Sequence, residues 1–437
     1  MPKKLKIAII APPWLSLYPG CYYGIENVVH HLATNLTTEG HHVELFSVSG
    51  TTTKVSKLHW YHKEDQYQHI HRPWYEVVTI IVSHVLYALN VIREEGDFDI
   101  IHDHNSFMGP AMMAYAQTGL PPILHTLHEP FTDKRTIASG IPDNKLMFEQ
   151  FKKLRHLYFN GVSKSQLSAA PDGLRPHIKG VVYNGVNLDE YTYSADKEDY
   201  FLIVARISAN KGQGTAARAA NELGARLKMA GTVGAQIATP ERLMEELSNP
   251  NTQFMNDPDF RYFKEEIAPY LVKDRIEYLG TVSGRQKQKL FEKAKAFVFP
   301  IDWEEPFGMA VIDALASGTP VVGYNRGALP EIIEHGVNGF IAKNYAEFKQ
   351  YMNRVDEIDP AVCRESVKQR FSTEILTQNY MKLYTDIIKR YGKFRAKNLV
   401  KLNLNPRLSH NYHYRRALPE LMPRPASKHY IQKRLSL

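Results

Sequence analysis

Only two cysteines, Cys21 and Cys363, occur in 437 residues, and their wide separation excludes a disulfide framework or a zinc knuckle. A reducing, cytosolic setting is the expectation. Long apolar runs are scarce as well. The longest, Val77 to Ile92, is broken by Thr79, Ser83, His84 and Asn90, which makes it too short and too polar for a bilayer span and better suited to an amphipathic core helix. The start, MPKKLKIAIIAPPW, has the basic residues and short apolar stretch of a signal peptide but not its small-residue cleavage pattern. It ends at Pro12 and Pro13 and reads as a buried first strand. The sequence carries no Walker A pattern, so ATP hydrolysis is not the obvious chemistry.

Acidic residues are missing from one segment. Between Gly392 and Leu437, Glu420 stands against eleven Lys or Arg, a net +10, so the formal +8 of the chain leaves the first 391 residues at −2. With Pro406, Pro419, Pro423 and Pro425 among its tyrosines, this segment reads as a basic extension, either solvated or held on an anionic membrane surface. It carries no RNA-binding or helix-turn-helix signature, so no specific nucleic acid is expected.

What is present is a globular composition, 43% hydrophobic, on a chain long enough for two domains. Short apolar runs alternate with longer amphipathic segments. Candidate strands are LKIAIIA, HVELFSV, FDIIHDH, PPILHTLH, HLYFNGVS and KGVVY, then YFLIVAR, ARLKMAG, RIEYLG, KAFVFP and PVVGY. Helical stretches include Ile25 to Thr38, Gln286 to Lys295 and Met309 to Ser317. Such alternation predicts doubly wound parallel sheets. The series breaks in the polar stretch NGVNLDEYTYSADKED, which puts a domain boundary near Tyr191. In folds of this kind ligands bind beyond the carboxyl ends of the strands.

Three loops there carry chemistry. Gly24 lets backbone approach a ligand, with the N–H groups of the helix opening near Ile25 behind it. Arg206 and Lys211, in VARISANKGQG, straddle a strand end and suit a diphosphate, although solvated surface charge is the plain alternative. In WEEPFGMAVIDALASG, Glu305 lies on a loop before a Pro306–Gly308 turn, and Asp313 lies on the helix that follows. Two acceptors so placed suit a neutral polyol. Histidines supply a rival reading: His102 and His104 flank Asp103, His125 and His128 follow, and the four could serve a metal-dependent hydrolase. HWYHKEDQYQHIHRPW, with His59, His62, His69 and His71, reads as an irregular insertion.

The run from Phe299, FPIDWEEPFGMAVIDALASGTPVVGYNRGALPEIIEHGVNGF, resembles the signature of the retaining GT-B glycosyltransferases of family 4, especially the bacterial branch with WEEPFG. APPW, YGIENVVHHLATNL, FDIIHDH, TLH, NGV and VARISANKG extend the resemblance over about residues 5–391. It implies an α/β GT-B fold of two Rossmann-like domains facing across a cleft. Residues 1–190 would hold the acceptor and 191–371 the nucleotide-sugar donor; 372–391 would be a helix crossing back, and 392–437 the basic extension. It further implies that Gly24, Arg206 and Lys211 face the donor diphosphate and that Glu305 contacts the transferred hexose, with the backbone N–H groups of Phe307, Gly308 and Met309 nearby. Asp313 would hold the ribose, the backbone near Gly280 would read the base, and His128 would sit beside the reacting sugar. Two positions depart from the family pattern: Asp313 stands for a glutamate and Tyr23 for the first of two glycines.

The function so implied is retaining, metal-independent hexosyl transfer without a cofactor, from a donor resembling UDP-glucose to an unidentified acceptor. Its setting would be the cytoplasm, with peripheral association at the inner membrane face through the basic tail. The alternatives are the metal-dependent hydrolase and a nucleotide-sugar binding protein without turnover.

Overall fold

The structure, a computed structural model, describes residues 3–403 apart from 20–23, 71, 118, 133–143, 152–153 and 235. Residues 1–389 pack as one unit that contains two sheets. Residues 390–437 form a second unit, whose described part, to Asn403, is the last stretch of the helix Thr373–Asn403.

The first sheet comprises β1 (Lys6–Ile10), β2 (His42–Ser47), β3 (Lys57–Trp60), β4 (Ile100–Asp103), β5 (Ile123–Leu127), β6 (Leu157–Gly161) and β7 (Ile178–Val181). Its order is β3-β2-β1-β4-β5-β6-β7, and every pairing is parallel. The second comprises β8 (Glu198–Val204), β9 (Leu227–Ala230), β10 (Ile276–Tyr278), β11 (Ala294–Phe299), β12 (Val321–Tyr324) and β13 (Gly339–Ala342), in the order β10-β9-β8-β11-β12-β13, again parallel throughout. The central strands are continuous apolar runs because helices cover both faces. Ile7, Ala8, Ile9 and Ile10 of β1 are all fully buried. In each sheet the strand order reverses at one place, between β1 and β4 and between β8 and β11. The loops after those four strands therefore open into the crevice where α/β folds bind ligands.

Helix Gly24–Thr38 buries Val28, Val29, Leu32 and Leu36 on the first sheet. The run around Val77 is a helix, Trp74–Glu95, of 22 residues, and its stretch Tyr75–Glu95 is long and apolar enough to cross a membrane. The sequence argument from length therefore fails. One face of the helix joins the core through Val77, Ile81, Val85, Ala88, Leu89 and Ile92, and fully buried His84 hydrogen-bonds the Ala11 carbonyl through Nε2 at 2.9 Å.

The chain passes between the lobes at two adjacent places. Val186 bridges to Ser372, with its N–H donating to Phe371 O at 2.9 Å and its carbonyl accepting from Thr373 N at 3.1 Å. The helix from Thr373 then packs Leu376, Tyr380, Tyr384 and Ile387 against β1 and the Gly24–Thr38 helix. A further tie is Glu331 of the second lobe, whose carboxylate accepts the N–H groups of Lys164 and Ser165 and the Tyr183 hydroxyl at 2.7–2.9 Å.

Candidate active site

Lys211 and Glu305, 94 positions apart in sequence, meet at 2.5 Å, Nζ to Oε2. Lys211 follows β8 in a short helical turn, Ala209–Lys211, and Glu305 follows β11. Trp303 closes the arrangement: its Nε1–H donates to the same carboxylate oxygen at 2.8 Å, and its ring lies under Lys211 Nζ at 4.5 Å. Both charged side chains are mostly buried, 17% and 12% exposed. The Glu305 loop is fixed from behind by Ala328, whose N–H donates to Glu305 O at 2.9 Å. Gly308 then turns the chain into the helix Met309–Ala316 with φ 105°, a conformation costly for any residue with a Cβ.

This pair lines a cavity of about 370 Å³ whose walls also include Gly24, His128, Arg206, Phe307, Gly308 and Met309. Gly24 belongs to the first lobe, and a Cβ there would come within 3.2 Å of Met309 Cγ. Two helix N-termini, at Gly24 and at Met309, thus approach each other across the cleft and offer N–H groups and positive dipole ends to an anion between them. Arg206 stands at the rim, 41% exposed, with Asp259 at 4.0 Å.

A second cavity, of about 230 Å³, shares Gly24, Val204, Ala205, Met309 and Ala310 with the first and continues it toward Asp313. Asp313 is already engaged at both oxygens. The Tyr191 hydroxyl donates to Oδ1 at 2.6 Å and Lys287 Nζ to Oδ2 at 2.8 Å. Sequence reasoning missed Lys287, Tyr191 and Trp303 as site residues. In GRQKQK, where the helix Gly284–Lys293 begins, Lys287 and Lys289 stand two positions apart on different faces of one turn, and the pattern does not tell which one faces the cleft.

The four histidines do not gather into a metal centre. Among the described residues the one group with three ligand atoms in mutual reach is Glu44, His59 and Glu95, and there Lys6 and Lys57 supply the cations, with ion pairs from 2.7 to 3.8 Å. His59 is no part of an irregular insertion: it sits on the edge strand β3, bonded to Glu44 and stacked on Phe46 at 4.5 Å. His125 pairs with buried Asp103 at 2.6 Å. His128 and His104 hydrogen-bond each other at 2.9 Å, and His104 meets His102 at 3.3 Å. Burial and the neighbouring rings push His102 and His104 well below the usual histidine range and His128 down to about 3, so all three are neutral at physiological pH.

Gly280 lies in the turn after β10 with φ 72°, its carbonyl accepting Gly231 N–H at 2.9 Å. Tyr23 and Cys21 lie outside the described residues, as does the basic extension beyond Asn403.

Comparison with known proteins settles the family. The sequence model described as Glycosyl transferases group 1 matches residues 189–367, and the one described as Glycosyltransferase Family 4 matches 22–190. The chain belongs to the group 1 glycosyltransferases. D-inositol 3-phosphate glycosyltransferase of Mycobacterium bovis is 25% identical over 286 residues, 61% of this chain and 55% of that protein. The chain spans between 23% and 63% of the length of the first curated relatives it matches. Sucrose-phosphate synthase from Thermosynechococcus elongatus superposes with a TM-score of 0.64 at 18% identity, over 88% of this chain and 100% of the other. Anabaena HepE in complex with UDP-glucose does so with 0.59 at 16% identity, over 87% and 100%. These likenesses, with the two parallel sheets, show a GT-B fold.

Proposed function

We propose that this chain is a retaining glycosyltransferase that moves a hexose from a nucleotide-sugar donor, UDP-glucose by preference, to an acceptor bound by the first lobe. The observation that carries the reading is the Lys211–Glu305–Trp303 cluster, which opens into one cavity with Gly24 and His128 from the opposite lobe. Residues 191–371 act as the donor domain and 1–190 as the acceptor domain. The diphosphate lies between the Gly24 helix end and the cations Arg206 and Lys211; Glu305 takes hexose hydroxyls, and Asp313 takes the ribose with Lys287 beside it. HepE, solved with UDP-glucose, supports the choice of base.

In this mechanism negative charge grows on the leaving diphosphate, and preorganised cations and helix N–H groups stabilise it. They supply the positive charge, so the proposal needs no metal and no cofactor. Glu305 is engaged by Lys211 and Trp303 and is no free nucleophile. Retention then follows from attack on the face the diphosphate leaves, with a donor phosphate oxygen taking the acceptor's proton. The basic extension 392–437 rests on an anionic membrane surface at the cytoplasmic face. Calorimetric titration with UDP, GDP and ADP in EDTA, followed by turnover of the matching sugar nucleotides, tests the whole. Binding of one nucleotide in EDTA supports the reading; binding of none, or binding lost in EDTA, overturns it.

A further inference from the structure

The histidines that fail as a metal centre form a hydrogen-bonded line from the cleft to the C-terminal helix, and its protons can be counted. Asn160 Nδ2 donates to Gly161 O at 3.3 Å and to Tyr380 OH at 3.4 Å, which fixes its amide orientation. Thr126 has a single O–H, and it goes to Asn160 Oδ1 at 2.9 Å. Its oxygen therefore accepts twice, from Tyr380 O–H at 2.9 Å and from His102 Nε2–H at 2.8 Å. His102 Nδ1 is then bare, and its one lone pair accepts Tyr384 O–H at 2.6 Å; His104 Nε2 lies 3.3 Å away over the tilted His102 ring, with ring centroids 4.0 Å apart, a contact that is attractive when Nε2 carries the proton. That leaves His104 Nδ1 bare toward His128 Nε2 at 2.9 Å, so His128 carries its proton on Nε2.

We infer that this line fixes the tautomer of His128, which presents an unprotonated Nδ1 to the cleft as a hydrogen-bond acceptor for a neutral sugar hydroxyl. Thr126, His102, His104, Tyr380 and Tyr384 are then positioning residues, two of them supplied by the helix that begins at Thr373. An acceptor nitrogen there favours a hydroxyl over a carboxylate, so the wiring selects neutral hexoses over uronic acids. Burial supports it: Tyr380 is pushed up to about 12 and Tyr384 also upward, so both keep the O–H they donate. The inference rests on the proposed function only in giving His128 a sugar to meet.

The test uses the full chain labelled with 15N-histidine. Ring-nitrogen shifts assign the His128 tautomer, with His128→Gln identifying its signals. The Nε2–H form is expected in the parent. Thr126→Val keeps the side-chain shape but removes the node; it is expected to shift His128 toward Nδ1–H and to lower kcat/KM for a neutral-hexose donor at least tenfold, with UDP affinity unchanged. Thr126→Ser, which keeps the hydroxyl, is expected to restore both. An Nδ1–H form in the parent, or a Thr126→Val protein with unchanged tautomer or unchanged turnover, overturns the inference. A parent with the expected tautomer that neither binds nor turns over any nucleotide sugar overturns the functional reading and leaves the tautomer assignment standing.

Discussion

Lys211→Ala is the perturbation with the most defined consequences. The Nζ it removes sits 2.5 Å from Glu305 Oε2 and 4.5 Å over the Trp303 ring, so the cation is held in place before any ligand arrives. A hydrogen bond to a charged group is worth about 1.5–3 kcal/mol, so UDP should bind roughly 10- to 150-fold more weakly. Stability should fall as well. Glu305, 12% exposed, keeps the Trp303 N–H but loses its counter-charge, and a buried group left without its partner costs about 1–3 kcal/mol. The double variant Lys211→Ala with Glu305→Ala removes the orphaned charge and should recover most of that stability while UDP binding stays weak. Titration calorimetry reads the affinity and urea denaturation the stability. UDP affinity within threefold of the parent, alongside a clear loss of stability, would refute the placement of Lys211 at the diphosphate and reduce the pair to a structural one.

Acid should destabilise the fold from pH 6.5 downward. His30 and His84 titrate near 4 and His128 near 3 when folded, each held down by burial, so the unfolded chain takes up protons first and stability is lost as pH falls through this window. Fully buried His84 alone accounts for about 3 kcal/mol by pH 4, while Glu26, pushed up to about 7 by burial, works in the opposite direction. Urea melts at pH 7.5 and pH 5 check the sign, and equal stability at both would contradict it. Gly308→Ala forces a side chain to φ 105° at the start of the Met309 helix and should cost about 1–3 kcal/mol along with most turnover; an unchanged Tm would refute the strain. Truncation after Tyr391 should abolish sedimentation with anionic phospholipid vesicles and leave turnover of soluble donor intact, whereas a truncated protein that still sediments would remove the membrane role of the tail.

Much of the fold could be read from apolar runs. LKIAIIA, FDIIHDH, YFLIVAR and KAFVFP coincide with β1, β4, β8 and β11, the strands at the two reversals. The strands that escaped, β3 and β13, are four-residue edges. KLHW is half exposed, and one covered face leaves too little apolar signal to distinguish a strand from a loop. On the last helix the buried stripe is Leu376, Tyr380, Tyr384 and Ile387, and the residues they meet on the first sheet are some 250 or more positions away, beyond the reach of helical periodicity.

By itself, the sequence determined the chemistry on offer: which loops follow the central strands, the acids at 305 and 313, the cations at 206 and 211, and a helix at each glycine turn. These follow from local pattern, because burial on both faces demands continuous apolar residues and a tight turn demands glycine. Only the tertiary structure decided the company each group keeps. Lys211 finds Glu305 across two strands, Lys287 and Tyr191 converge on Asp313, and four histidines that spacing alone would allow to share a metal instead bond to one another, to Asp103 and, through His102, to a tyrosine 282 positions away. Such partnerships depend on strand order and on how helices close over the sheet, long-range facts that no run of neighbouring residues carries.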